Sequence, residues 1–123
     1  MKVVTQTKSL SAVGPYSLAI EKRGILFLSG QIGIDQDLKL AKGGIEAEFK
    51  KIMENTKDLL AELGYTLKDI VNTRIYLSDL DDYSKINKLY AQYFKEPYPT
   101  RSTLQVAGIP LGASIEIEFL AMK

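Results

Sequence analysis

The chain has 123 residues, enough for one domain whose core needs no covalent staple. It contains neither cysteine nor histidine, which excludes disulfides, thiol nucleophiles, thiolate or imidazole metal sites and any triad built on an imidazole base. Its 16 basic and 15 acidic residues are interspersed and leave a formal net charge of +1, so there is no general field to gather nucleic acid. Any chemistry falls to carboxylates, Arg, Lys, Tyr, hydroxyls, backbone groups and water.

The N-terminal "MKVVTQTKSLSAV" has no long apolar run and reads as neither a signal peptide nor a membrane span, so a soluble, cytoplasmic protein is expected. "VVTQ" reads as a short strand. "YSLAIEKRGILFLSGQIGI" reads as a hairpin turning at "KRG", where Gly24 can supply a positive φ. Its second arm, Ile25–Ile34, is apolar on both faces and predicts a strand buried on both sides. "DQDLKLAKGG" is a loop. Ile45, Phe49, Ile52, Met53, Thr56, Leu59, Leu60 and Leu63 then follow helical spacing, and Gly64 stands where a C-cap glycine would, which predicts a helix from Ile45 to Leu63.

"IVNTRIYLS" is again a strand. Asp79, Asp81 and Asp82 suit the positive end of a second helix, with Tyr83, Ile86, Tyr90, Tyr93 and Phe94 as its apolar stripe and Pro97 and Pro99 as its stop. Two strands follow, Arg101–Ala107 and Ser114–Met122, joined by "GIPLGA". The order β-β-β-α-β-α-β-β, with helical crossovers and hairpins at both ends, predicts a two-layer α+β domain spanning 1–123: a mixed sheet with two helices on one face. Two helices cover only one face of such a sheet, and the other carries apolar residues too. Self-association through that face is the simplest way to shield it, so a homo-oligomer is expected.

Alternation places Arg101, Thr103 and Gln105 on one face of their strand. In the last strand Ile115, Ile117 and Phe119 should face the helices, which turns Glu116 and Glu118 toward the uncovered face. Arg101 and Glu116 could then converge, either as a site or as an ion pair at a surface or interface, the commoner arrangement on spacing alone. "SGQIG", with Ser29 and Gly30, is a place where ligand can approach backbone closely, or simply a strand end. Tyr16 follows a rigid Gly-Pro turn and serves a cleft or a core rim. Asn87, beside Ile86 on the second helix, needs hydrogen-bond partners, from backbone or from ligand.

Read together and in order, "GPYSLAI", "LFLSGQIGID", "NTKDLLAELGYTLKDIVNTRIYLSDLDDYSKINKLYAQYF" and "YPTRSTLQVAGIPLGASIEIEFLA" resemble the RidA (YjgF-like) family of reactive-intermediate deaminases, which hydrolyse imines and enamines. The resemblance runs along nearly the whole chain. It implies a chorismate-mutase-like fold of the trimeric type, in which three sheets form a central barrel and active sites lie in clefts between subunits of a homotrimer. It implies 2-imino acids from pyridoxal-phosphate enzymes acting on Ser or Thr as substrates, 2-keto acids and ammonia as products, and neither metal nor cofactor. By position it makes Arg101 the anchor of the substrate carboxylate and Glu116 the acid associated with the attacking water. Tyr16, Ser29, Gly30 and Asn87 would line the cleft, with Thr103 where many members have Cys. Leu18 and Glu48 replace glutamines common in the family. A different class of function, binding of small keto or amino acids as a metabolite-responsive module, would use the same cleft. A ribonuclease or translation-inhibitor role, attached to some members, is disfavoured by the balanced charge and the absent histidine.

Overall fold

The computed structural model describes residues 1–123. Six strands, β1 (Lys2–Val4), β2 (Ala19–Lys22), β3 (Ile25–Leu28), β4 (Ile70–Leu77), β5 (Thr100–Gln105) and β6 (Ile115–Met122), form one sheet in the order β1-β2-β3-β6-β4-β5. Only β4 and β5 run parallel; the other neighbours are antiparallel. Two helices, α1 (Gly44–Glu62) and α2 (Tyr83–Tyr90), complete the expected α+β layout.

The order of elements agrees with the sequence pattern, but the final hairpin does not form. Instead of folding back on β5, β6 inserts between β3 and β4. The cause is that β4 and β6, eight residues each, alternate almost perfectly between buried and less buried positions. Two long strands with one largely apolar face, broken only by Thr73, bury most when they pair with each other at the centre. The short β5 takes the outer edge of β4.

Strand β3 is also shorter than the expected Ile25–Ile34. It ends at Leu28, and the ladder to β6 resumes only where the Gln31 N–H donates to the Ile117 carbonyl and the Ile117 N–H donates back, at 2.8 and 2.9 Å. The hairpin before it turns at Arg23 and Gly24, both with positive φ (54° and 76°). This is the conformation that matches the right-handed twist of two-residue hairpins.

Helix α1 buries Ile45, Phe49, Ile52, Met53, Leu59 and Leu60 on the sheet, the stripe its spacing predicts. It closes as expected at Gly64 (φ 75°), where the Tyr65 N–H donates to the Leu60 carbonyl at 3.0 Å. Glu48, on the same buried face, is only 5% exposed and accepts the Ser114 N–H at 2.8 Å, which pins α1 to the entry of β6.

Helix α2 is shorter than its apolar stripe. Tyr93 and Phe94 lie in the turn beyond it, where Phe94 stacks on Tyr90 with centroids 4.4 Å apart and Tyr93 meets Phe49 edge-on at 5.6 Å. At the other end Tyr83 is 42% exposed, so it is not part of the core.

Both helices lie on one face, where Leu26, Ile75, Leu77, Ile115, Ile117 and Phe119 close the core. The opposite face is uncovered within the chain. Phe27 and Leu104 on it are each more than half exposed, at 55% and 54%. No helix is long and apolar enough to cross a membrane.

Candidate active site

The strand register decides which predicted residues can meet. Thr73 of β4 pairs with Arg101 on one side and Phe119 on the other. Directly paired residues share a face, so Arg101 belongs to the row of Phe119, on the helix side. Tyr76 pairs with Leu104 and with Glu116, which puts Glu116 on the uncovered side. Arg101 and Glu116 therefore lie on opposite faces of one sheet. The expectation that they converge within a single chain is corrected, because β6 inserts beside β4 and not beside β5.

Each of the two residues gathers its own cluster. Arg101, on the edge strand β5, is held by α2. Its Nη2 donates to Asn87 Oδ1 at 2.6 Å and to the Tyr83 hydroxyl at 3.3 Å. Its guanidinium lies 4.9 Å from the Tyr90 ring centre and 5.5 Å from that of Tyr83, a cation–π arrangement on two rings.

Tyr83, Asn87 and Tyr90 stand at i, i+4 and i+7, one face of a helix. The spacing reads as a core stripe in the sequence, and this is how Tyr83 and Tyr90 escape notice as site residues. Tyr90 is 5% exposed and its hydroxyl shares a hydrogen bond of 3.1 Å with Thr73 Oγ1. Burial pushes the Tyr90 hydroxyl above the ordinary tyrosine range, against the pull of Thr73 and Arg101. Two residues along β5, the Thr103 hydroxyl is buried and has no partner in its own chain. All of these groups border the outer edge of the sheet.

The second cluster is built around Glu116. A Cβ on Gly30 would come to 3.0 Å from Glu116 Cδ and closer still to its carboxylate, so any larger residue here must displace the end of this acid. The neighbouring Ser29 hydroxyl donates to the Ser17 carbonyl at 2.6 Å, which joins the "SGQ" turn to the segment carrying Tyr16. Tyr16 itself is exposed. Burial raises the Glu116 carboxyl above the ordinary range, and the charge of Glu118 raises it further. Glu118 accepts the Tyr76 hydroxyl, and that bond, more than burial, pushes the tyrosine proton up.

Thus Arg101, Asn87 and Thr103 come together on one side, and Glu116, Gly30 and Ser29 on the other, with Tyr16 exposed on the segment that Ser29 bonds. No group of three or more acidic side chains converges to hold a metal ion.

The sequence pattern of the family described as "Endoribonuclease L-PSP" matches residues 6–123. The chain belongs to this family, that of the RidA (YjgF-like) proteins. Among its RidA-family relatives is the human 2-iminobutanoate/2-iminopropanoate deaminase, 37% identical over 99% of this chain and 90% of that one. The crystal structure of RidA from an Antarctic Psychrobacter superposes over 100% of both chains with a TM-score of 0.94 at 32% identity. That of Escherichia coli TdcF with bound serine covers 100% of this chain and 99% of its own, with a TM-score of 0.90 at 30% identity. The RidA-type fold and the chorismate-mutase-like α+β architecture are thereby established for the chain.

Proposed function

We propose that the protein hydrolyses 2-imino acids and their enamine tautomers to 2-keto acids and ammonia, in clefts where the Arg101 cluster of one subunit faces the Glu116 cluster of its neighbour in a homotrimer. The observation that carries this reading is the state of Arg101. The chain engages only Nη2, sets the guanidinium close to two tyrosine rings, and leaves Nε and Nη1 without a partner. A planar fork so held suits a carboxylate taken with two parallel hydrogen bonds. The distribution of the clusters on opposite faces supports a shared cleft, since one chain alone cannot bring them together. The exposed apolar residues of the uncovered face give it a reason to associate.

In this reading Arg101 fixes the substrate carboxylate and therefore the adjacent imine carbon. Glu116 accepts a proton from a water as the water oxygen bonds to that carbon, and the nitrogen takes up a proton. The carbinolamine then collapses: its hydroxyl proton passes by way of Glu116 to the nitrogen, the C–N bond breaks, ammonia leaves, and the C=O of the keto acid forms. Thr103 and Asn87 line the carboxylate side of the cleft; Tyr16, Ser29 and Gly30 line the water side. The substrate class rests on the activity named for the human and other mammalian relatives.

The test couples the protein to a threonine dehydratase and follows ketobutyrate formation in the presence of semicarbazide as a competing trap. Acceleration over spontaneous hydrolysis, lost in Arg101→Ala with the fold intact, is expected. No acceleration rejects the proposal. A second reading, binding of a small amino or keto acid without turnover, is favoured by the relative solved with bound serine. It predicts saturable binding that needs Arg101 and no hydrolysis.

A further inference from the structure

A cavity of the chain lies away from both clusters. It has a volume of about 710 Å³ and opens between the C-terminal half of α1, the turn leading into β4 and the segment 93–99. None of Tyr16, Ser29, Gly30, Asn87, Arg101, Thr103 or Glu116 lines it. The size is that of a small-molecule site. Its walls are aromatic and aliphatic, with Tyr65, Leu67, Tyr93 and Phe94 among them.

Its rim is cationic. Lys57, Lys68 and Lys95 border it against one acid, Glu96. None of these lysines has an ion-pair partner, because the salt bridges of the chain engage Lys8, Lys50 and Lys51. Lys57 is drawn inward over the Tyr93 ring at 5.2 Å from its centre. An apolar, ring-lined interior under an excess of unpaired cations complements a small organic anion, such as a carboxylate on an apolar, ring-bearing body.

We infer that this cavity is a second ligand site, for an arylalkyl monocarboxylate, separate from the carboxylate anchor at Arg101. The ring of the ligand lies against Tyr93 and Phe94, and its carboxylate meets the lysine rim. Phe94 is also the residue stacked on Tyr90, beneath the Arg101 guanidinium. An occupant therefore touches a ring that lies between Tyr90 and Phe119, on both of which it stacks.

The test titrates the full chain by calorimetry and by ring proton resonances with 3-phenylpropanoate and with its neutral isostere 3-phenylpropanamide, in wild type and in Arg101→Ala. One anion per chain should bind saturably, shift the Tyr93 and Phe94 ring resonances, and bind unchanged in Arg101→Ala. The amide should bind at least about fivefold more weakly. In the triple variant Lys57→Gln, Lys68→Gln, Lys95→Gln, the preference for anion over amide should vanish. Absence of binding at millimolar ligand, equal binding of anion and amide to wild type, or loss of binding in Arg101→Ala would each overturn the inference. The last outcome would place the probe at the anchor. Failure of imine hydrolysis leaves these readouts untouched.

Discussion

Arg101 and Glu116 are both ionisable groups on β-strands of one sheet, and the chain treats them in opposite ways. Arg101 is given partners: an amide oxygen, a hydroxyl and two aromatic faces. Glu116 is deprived of them, packed on a glycine and set beside another acid. A group that must hold a charged ligand gains from a stable charge, anchored at one nitrogen and open at the others. A group that must take up and release a proton gains from a destabilised one. In the proposed reading, the two clusters divide binding and proton handling between the faces of the sheet.

The sharpest way to break this comparison is to separate the halves between chains. Arg101→Ala should lower kcat/KM by roughly 10²- to 10³-fold, the loss of a bidentate charge-assisted contact. Glu116→Ala should reduce turnover less, because water can partly replace a base. If each site takes Arg101 from one subunit and Glu116 from the next, unfolding and refolding an equal mixture of the two variants should recover about one quarter of wild-type activity by random assembly. A mixture no more active than its components would show that the halves do not combine across subunits.

Gly30→Ala tests the Glu116 side alone. The added methyl must displace the carboxylate, so turnover should fall about tenfold or more while binding of a keto acid to Arg101 changes little. An unchanged kcat would remove Glu116 from the water-handling role.

How much of this division can be seen before the structure is itself unequal. The period of α1 and its closing Gly64 are local signals, and so is the alternation that points Ile115, Ile117 and Phe119 inward; all three are legible in the residues. Alternation, however, relates residues only within a strand. Whether Arg101 and Glu116 share a face depends on which strands pair and in what register. That is set by long-range burial between β4 and β6, and it leaves no mark near either residue. The aromatic platform is hidden for another reason. Tyr83 and Tyr90 obey the same helical spacing as Ile86 and Leu89, and the spacing does not tell a ring that fills a core from a ring that carries a cation.

A milder test concerns pH. Raised by burial and by Glu118, the Glu116 carboxyl is charged only above the ordinary glutamate range, so activity should rise with pH through that higher value. Glu118→Gln removes the repulsion and should move this limb of the pH–rate profile to lower pH; an unmoved limb would assign it to another group. Stability carries the opposite sign. The fold binds the Glu116 proton more tightly than the unfolded chain does, so this residue's contribution falls as pH rises from the ordinary value through the raised one, and Glu118→Gln should flatten that fall.

The smallest effect belongs to Tyr90→Phe. It keeps the ring under Arg101 but leaves the buried Thr73 hydroxyl without its partner, at a cost of about 1 kcal/mol in stability and little change in KM. A large rise in KM would mean that the hydroxyl, and not the ring, supports the anchor.

The tyrosine platform also has an optical use. The chain has no tryptophan, and Tyr83 is accessible while its hydroxyl lies within hydrogen-bond reach of Arg101. A single indole placed there by Tyr83→Trp would stand beside the guanidinium with no other indole emission to mask it. Its fluorescence would report arrival of a carboxylate at the anchor in real time.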